Sequence, residues 1–139
     1  MLFWDTSAIV PLLVREHKSD DVRRILQEDG NIIASWITPV EVSSSLWRRR
    51  HHNHLSLEEH QRAETRFAQL STRWLEVAQS AVAIEVALDL LARHRLRALD
   101  AIQLGTLISI REALSKLPFI TLDEKLAAAA RAEGFPVLP

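Results

Sequence analysis

Short, wholly apolar runs alternate along the chain with longer stretches in which apolar residues recur every three or four positions. Leu2-Phe3-Trp4 is apolar throughout and runs into the cap-forming Asp5-Thr6-Ser7, which predicts a buried strand followed by a helix over 8–14. Pro11 fits that helix as a residue in or near its first turn. Val22, Ile25 and Leu26 at helical spacing predict a helix over 19–29, stopped by Gly30. Ile32-Ile33-Ala34 predicts a second strand, and Thr38-Pro39-Val40-Glu41 opens a helix carrying Val42, Leu46 and a basic run. Ser56-x-x-Glu59 is a capping box ahead of a helix from Leu57 to near Trp74, where Phe67, Leu70 and Trp74 share a face. A third strand is expected over 75–77, then a helix over 81–94 with Val82, Val86, Leu90 and Leu91 inward. Residues 100–114 predict a helix apolar on most sides, hence deeply buried or at an interface. Phe119 to Leu122 predicts a strand, 123–133 an Ala-rich helix ended by Gly134, and Pro136-Val137-Leu138 a last edge strand. Strands alternating with helices predict an α/β fold with a parallel sheet covered on both faces.

With 139 residues, 47% hydrophobic and 25% charged, the chain is expected to form one compact domain over 1–139. It has no internal repeat, low-complexity tract or linker. The absence of Cys removes a disulfide framework and any thiolate zinc site, and fits a reducing cytoplasm, the expected location. No apolar run reaches the length of a membrane span, and a first strand at Leu2 leaves no room for a signal peptide. A net charge of −1 does not announce a nucleic-acid binder. The total hides a local concentration, however: Arg48-Arg49-Arg50-His51-His52, with His54 beyond, is the densest basic run.

Four acids stand where apolar runs hand over to helices: Asp5, Glu41, Asp100 and Asp123. Each has a plain structural reading. Asp5 and Asp123 can cap the helices that follow them, and Thr38-Pro39-Val40-Glu41 and Asp100-x-x-Gln103 are both capping-box patterns. Their joint placement points further. Open parallel sheets bind ligands at the carboxyl ends of their strands, where Asp5 and Asp123 fall. Glu41 and Asp100 lie in first turns able to border the same crevice. Thr6, Ser7 and Thr121 add oxygen donors beside them. Gathered carboxylates without matching bases call for a divalent cation, and an oxygen-rich set suits Mg²⁺ or Mn²⁺. Such an ion lowers the pKa of a water for in-line attack on phosphorus, with a second ion ~4 Å away able to stabilise the leaving oxygen. The expectation is a metal-dependent phosphodiesterase.

The segments Leu2-Phe3-Trp4-Asp5-Thr6-Ser7-Ala8, Pro39-Val40-Glu41, Leu96-Arg97-Ala98-Leu99-Asp100-Ala101-Ile102 and Thr121-Leu122-Asp123-Glu124-Lys125-Leu126 resemble those of PIN-domain proteins, above all the VapC-like toxins of bacterial toxin–antitoxin pairs. The resemblance covers essentially the whole chain, in order. It implies a small three-layer α/β/α sandwich with a mostly parallel sheet, a Mg²⁺- or Mn²⁺-dependent endoribonuclease activity on RNA, and inhibition by a cognate antitoxin. Carried over by position, it makes Asp5, Glu41, Asp100 and Asp123 the catalytic acids, with Asp5, Asp100 and Asp123 as metal ligands. Thr6, Ser7 and Thr121 become supporting hydroxyls. Gln103 stands where many relatives have His, and an amide cannot titrate, so it is given no catalytic role.

Arg48, Arg49, Arg95 and Arg97 are the residues expected to meet RNA phosphates, against the bland reading of a solvated face and helix-end cations. The six His residues lack zinc spacing, and Trp74 is expected to pack, with Trp36 and Trp47 open to base stacking. The apolar helices over 81–94 and 100–114 suggest a homodimer. Two other classes remain in view. One is a non-catalytic PIN-like module that binds RNA or protein, its acids only capping helices. The other is a phosphatase or phosphotransfer domain, disfavoured because Ser7 stands where a second Asp is needed, Ile32-Ile33-Ala34-Ser35 supplies no phosphoacceptor, and three Gly build no phosphate loop.

Overall fold

The computed structural model describes residues 1–114 and 117–139. Twelve elements run in the order β1 (Leu2–Trp4), α1 (Thr6–Leu13), α2 (Ser19–Glu28), β2 (Ile32–Ser35), α3 (Thr38–His51), α4 (Leu57–Ser71), β3 (Leu75–Val77), α5 (Ala81–Arg93), α6 (Ala98–Ser109), β4 (Phe119–Ile120), α7 (Glu124–Ala132) and β5 (Val137–Leu138). All five strands are parallel, in the order β3-β2-β1-β4-β5. The short central strand β1 is buried on both faces, which is why Leu2, Phe3 and Trp4 are all apolar.

Alternation along the strands sorts the core into two layers. Leu2, Trp4, Ile32, Ala34 and Ile120 point to one face, where Ile9, Leu13, Val22, Val42, Leu46 and Ala63 of α1 to α4 cover them. Phe3, Ile33 and Phe119 point to the other, packed against Leu90, Leu104, Leu107 and Leu126 of α5 to α7. The result is the three-layer α/β/α sandwich. Within the second layer α5 and α6 lie unusually close. A Cβ on Gly105 would come within 2.6 Å of the Ala83 carbonyl oxygen, so only glycine fits there. None of the described helices is long and apolar enough to cross a membrane.

Several local expectations change. The first helix begins at Thr6 rather than Ala8, because Asp5 caps it, and Pro11 therefore lies well inside it, beyond the first turn. Helix α2 ends where Asp29 turns extended, not on a left-handed Gly30. Helix α6 stops at Ser109 and gives way to turns. Val82 and Leu91 are exposed; the inward face of α5 is Ala83, Ala87 and Leu90, with the two alanines standing where Gly105 of α6 comes closest. The apolar character of α6 is satisfied inside the chain, by the sheet and α5. The capping box at Ser56 and Glu59 forms with both of its bonds. Asp123 caps α7, and Gly134 takes the left-handed conformation after it.

Candidate metal and nuclease site

Chain order and strand order together place the site. From β1 the chain moves outward through β2 to β3, then crosses back to lay β4 on the other side of β1. The crevice beyond the carboxyl ends of β1 and β4 is thus the point where winding reverses, the usual ligand position in an open parallel sheet. Asp5 follows β1, its amide still in the ladder through a 2.9 Å bond to the Ile120 carbonyl. Asp123 follows β4. Glu41 reaches in from the first turn of α3 and Asp100 from the first turn of α6.

All four acids line one cavity of about 560 Å³, together with Thr6, Ser7, Arg48 and Arg97. Four carboxylates face two guanidiniums there, a shortfall of positive charge equal to one divalent ion.

Asp5 is buried, and its Oδ2 accepts from the Ser7 amide (3.1 Å), the Ser7 hydroxyl (2.5 Å) and the Thr121 hydroxyl (3.1 Å). Burial nevertheless raises its pKa above the ordinary aspartate value, and the Ser7 and Thr121 bonds only moderate that. Thr121 Oγ1 also accepts from the Asp123 amide (3.1 Å), and Ser7 Oγ from the Leu122 amide (2.9 Å), fastening the end of β4 to the start of α1.

Glu41 departs from the capping-box reading. Ile37, not Thr38, precedes the helix, with no side-chain cap bond. Glu41 Oε2 instead accepts from the Thr6 hydroxyl (3.0 Å) and from Gln103 Nε2 (2.5 Å). Its pKa is raised, first by burial and then by the charges of Asp5 and Asp100, against the pull of Gln103 and Thr6. Neither Asp5 nor Glu41 has a cationic partner among the described residues.

The sequence assigns Gln103 a helix-capping place and no catalytic one, but Arg97 is the residue that precedes α6, so Asp100-x-x-Gln103 is no capping box. Its amide nitrogen lies within bonding distance of Thr6 Oγ1 (3.3 Å), Thr38 Oγ1 (3.2 Å) and Glu41 Oε2, while its buried Oε1 has no partner. The signal that finds it is helical spacing: Gln103 lies one turn from Asp100, on the same face of α6.

Asp100 accepts from the Arg97 amide (3.3 Å) and from Arg97 Nε (3.0 Å). Asp123 Oδ1 caps the Lys125 and Leu126 amides (2.9 Å each), and its Oδ2 lies 3.6 Å from Arg97 Nη2. With those two carboxylates engaged in this way, no three His, Cys, Asp or Glu side chains among the described residues are grouped closely enough to hold an ion. The donor chemistry fits a hard cation all the same: carboxylate and hydroxyl oxygens, no sulfur or imidazole, and uncompensated negative charge at Asp5 and Glu41.

The basic residues divide. Arg48 is exposed on the cavity rim, free of ion pairs among the described residues. Arg49 is tied to Glu16 and Ser45 and lines a neighbouring hollow with His52 and His54. Arg95 is exposed and does not line the cavity. Trp47 lies over the buried ring of His60 (centroids 4.2 Å apart), and Trp74 packs edge-on against Phe67.

This fold belongs to a known class. The PIN domain family model matches residues 2–137, and the chain belongs to that family. Its fold is similar to that of a chain in a toxin–antitoxin complex from Klebsiella pneumoniae (24% identity, 100% of this chain and 97% of that one, TM-score 0.67). It is similar also to VapC20 of Mycobacterium tuberculosis, described as a sarcin–ricin loop cleaving toxin (21%, 97% and 96%, 0.72). A third similar structure is FitAcB of Neisseria gonorrhoeae (17%, 100% and 97%, 0.69). No curated protein sequence matches the chain.

Proposed function

We propose that this PIN-domain chain is a metal-dependent endoribonuclease and the toxin of a toxin–antitoxin pair. The observation that carries the reading is the convergence of Asp5, Glu41, Asp100 and Asp123 on one cavity, two of them with raised pKa and no cationic partner among the described residues. A family of this kind with relatives named as toxins, one of them cleaving the sarcin–ricin loop, supports an RNA substrate and a cognate antitoxin.

Asp5, Asp100 and Asp123 are the residues that would hold Mg²⁺ or Mn²⁺, with the Ser7 and Thr121 hydroxyls fixing Asp5 and the Thr6 hydroxyl fixing Glu41 beside them. Once bound, the cation supplies Lewis-acid stabilisation of the phosphoryl charge and a more acidic water. Glu41 is suited to accept a proton in the cavity, because burial and its anionic neighbours raise its affinity for one. Gln103 and Thr6 keep its carboxylate aimed. Arg48, and Arg95 further out, meet the RNA backbone. The exposed Val40 and Leu99 on the rim are apolar contacts for an antitoxin segment, and the exposed Val82, Leu88 and Leu91 on α5 are the surface for a homodimer.

The non-catalytic module is the second reading, since Asp5 and Asp123 do cap helices. Glu41 counts against it: it caps nothing, and its burial has a cost that only a bound cation or substrate would repay. The deciding experiment incubates the protein with total RNA in Mg²⁺, in chelator, and as Asp5→Asn. Cleavage is expected with Mg²⁺, absent with chelator, and reduced at least ~10³-fold in the variant. Chelator-resistant cleavage, or an active Asp5→Asn, overturns the mechanism. RNA binding without cleavage supports the module.

A further inference from the structure

The acids of the cavity are held in two ways. Asp5 and Glu41 rest on neutral donors, whereas Asp100 and Asp123 share one cation. Arg97 Nε lies 3.0 Å from Asp100 Oδ2, and Nη2 lies 3.5 Å from Asp100 Oδ1 and 3.6 Å from Asp123 Oδ2. No other Arg, Lys or His among the described residues pairs with either acid. The geometry points to Arg97 as a displaceable internal cation: it bridges Asp100 and Asp123, and a divalent ion has to push it aside before those carboxylates become ligands. This inference rests on the metal-binding reading above.

The physical case is a competition. A guanidinium is monovalent, and its planar fork engages the pair of acids it faces, leaving Asp5 and Glu41 uncompensated. A divalent ion at the same carboxylates answers more of the charge through direct oxygen contacts. The bridge is also easy to open. The Arg97 side chain is 80% exposed, and its partners Asp100 and Asp123 retain 16% and 29% exposure, so all three are partly screened by water. Exposed ion pairs of this kind are individually weak. When the side chain swings out, Asp100 keeps its bond from the Arg97 amide and Asp123 its two helix-cap bonds, so both acids stay aimed. Arg97 therefore lowers the affinity of the site for its ion, while holding the anions together when no ion is present.

Removing Arg97 should consequently tighten metal binding. A residue whose task was to orient Asp100 for the ion would give the opposite sign. The test is calorimetric titration of Mn²⁺ into wild type, Arg97→Ala, Arg97→Lys and Asp5→Asn, with circular dichroism melts to check folding. Arg97→Ala is expected to bind Mn²⁺ roughly three- to tenfold tighter than wild type, from release of two weak ion pairs. Arg97→Lys should fall between them. The gap should narrow in high salt, where exposed pairs are screened. Equal or weaker binding by Arg97→Ala, with Asp5→Asn still abolishing it, overturns this inference and leaves the metal site standing. No saturable Mn²⁺ binding in wild type overturns both.

Discussion

Asp5 and Asp100 illustrate two ways of keeping a carboxylate at one cavity. Asp5 sits at the end of the central strand, buried, with hydroxyl and amide donors and no cationic partner among the described residues. Asp100 sits at the rim, partly exposed, in contact with a guanidinium. The first arrangement is rigid and electrostatically unfavourable, and the second is compensated and soft. Burial without a counter-charge is not a stability device, because desolvating an anion costs more than neutral donors return. The side of the cavity built on β1 and α3 therefore carries the sharper sign of function.

The difference can be broken in three places. The largest effect is expected on the neutral donors that support the buried side. Gln103→Met keeps the volume of the side chain and removes the amide that bonds Glu41, Thr6 and Thr38. Loss of such a supporting bond to an active carboxylate typically costs ~10–100-fold, so RNA cleavage should fall by that factor. An unchanged rate would mean that Glu41 needs no orientation.

A smaller effect separates the two acids in the metal-free protein. Asp5→Asn removes a buried charge while its amide oxygen can keep the donors, so stability should rise by about 1–2 kcal/mol, the usual scale when a functional site is neutralised. Asp100→Asn gives up an ion pair at the rim and should shift stability by no more than ~1 kcal/mol, downward. Urea melts in chelator measure both. A destabilised Asp5→Asn would show that its hydrogen bonds outweigh its burial.

The smallest effect is on the pH dependence. A carboxyl whose pKa is raised on folding holds its proton more tightly in the folded state. Its contribution to stability is full below the unfolded pKa and is lost as pH rises through the folded one. For Asp5 and Glu41 the window opens at their ordinary values, 3.8 and 4.5, and extends up to the raised ones. Asp21, Asp29, Glu59 and Glu133 have lowered pKa values and act in the opposite sense, but equally in wild type and variant. In chelator, the double variant Asp5→Asn/Glu41→Gln should therefore lose less stability than wild type as pH rises through that window. Parallel melting curves against pH would remove the electrostatic distinction.

Much of this protein is legible in its sequence because it is decided locally. Apolar runs and helical spacing located the five strands and seven helices of the described residues, with α6 ending five residues short of expectation, and the Ser56–Glu59 box and the Gly134 stop formed as their residues demand. The acids themselves also stand out in sequence, since each lies at an element boundary. What local pattern could not resolve was the direction of each side chain. Thr38-Pro39-Val40-Glu41 and Asp100-x-x-Gln103 fit a capping box as well as any helix start, yet Glu41 and Gln103 bond each other across 62 residues. Asp5 and Asp123 turned out to cap their helices and line the cavity as well, so the two readings were never exclusive. Arg97 met Asp123 only because β4 lies beside β1 and brings the start of α7 toward that of α6. Propensity and periodicity act over a few residues and so can be read from the chain. Charge compensation depends on which anions and cations are neighbours in space, and that is set by the order of strands in the sheet.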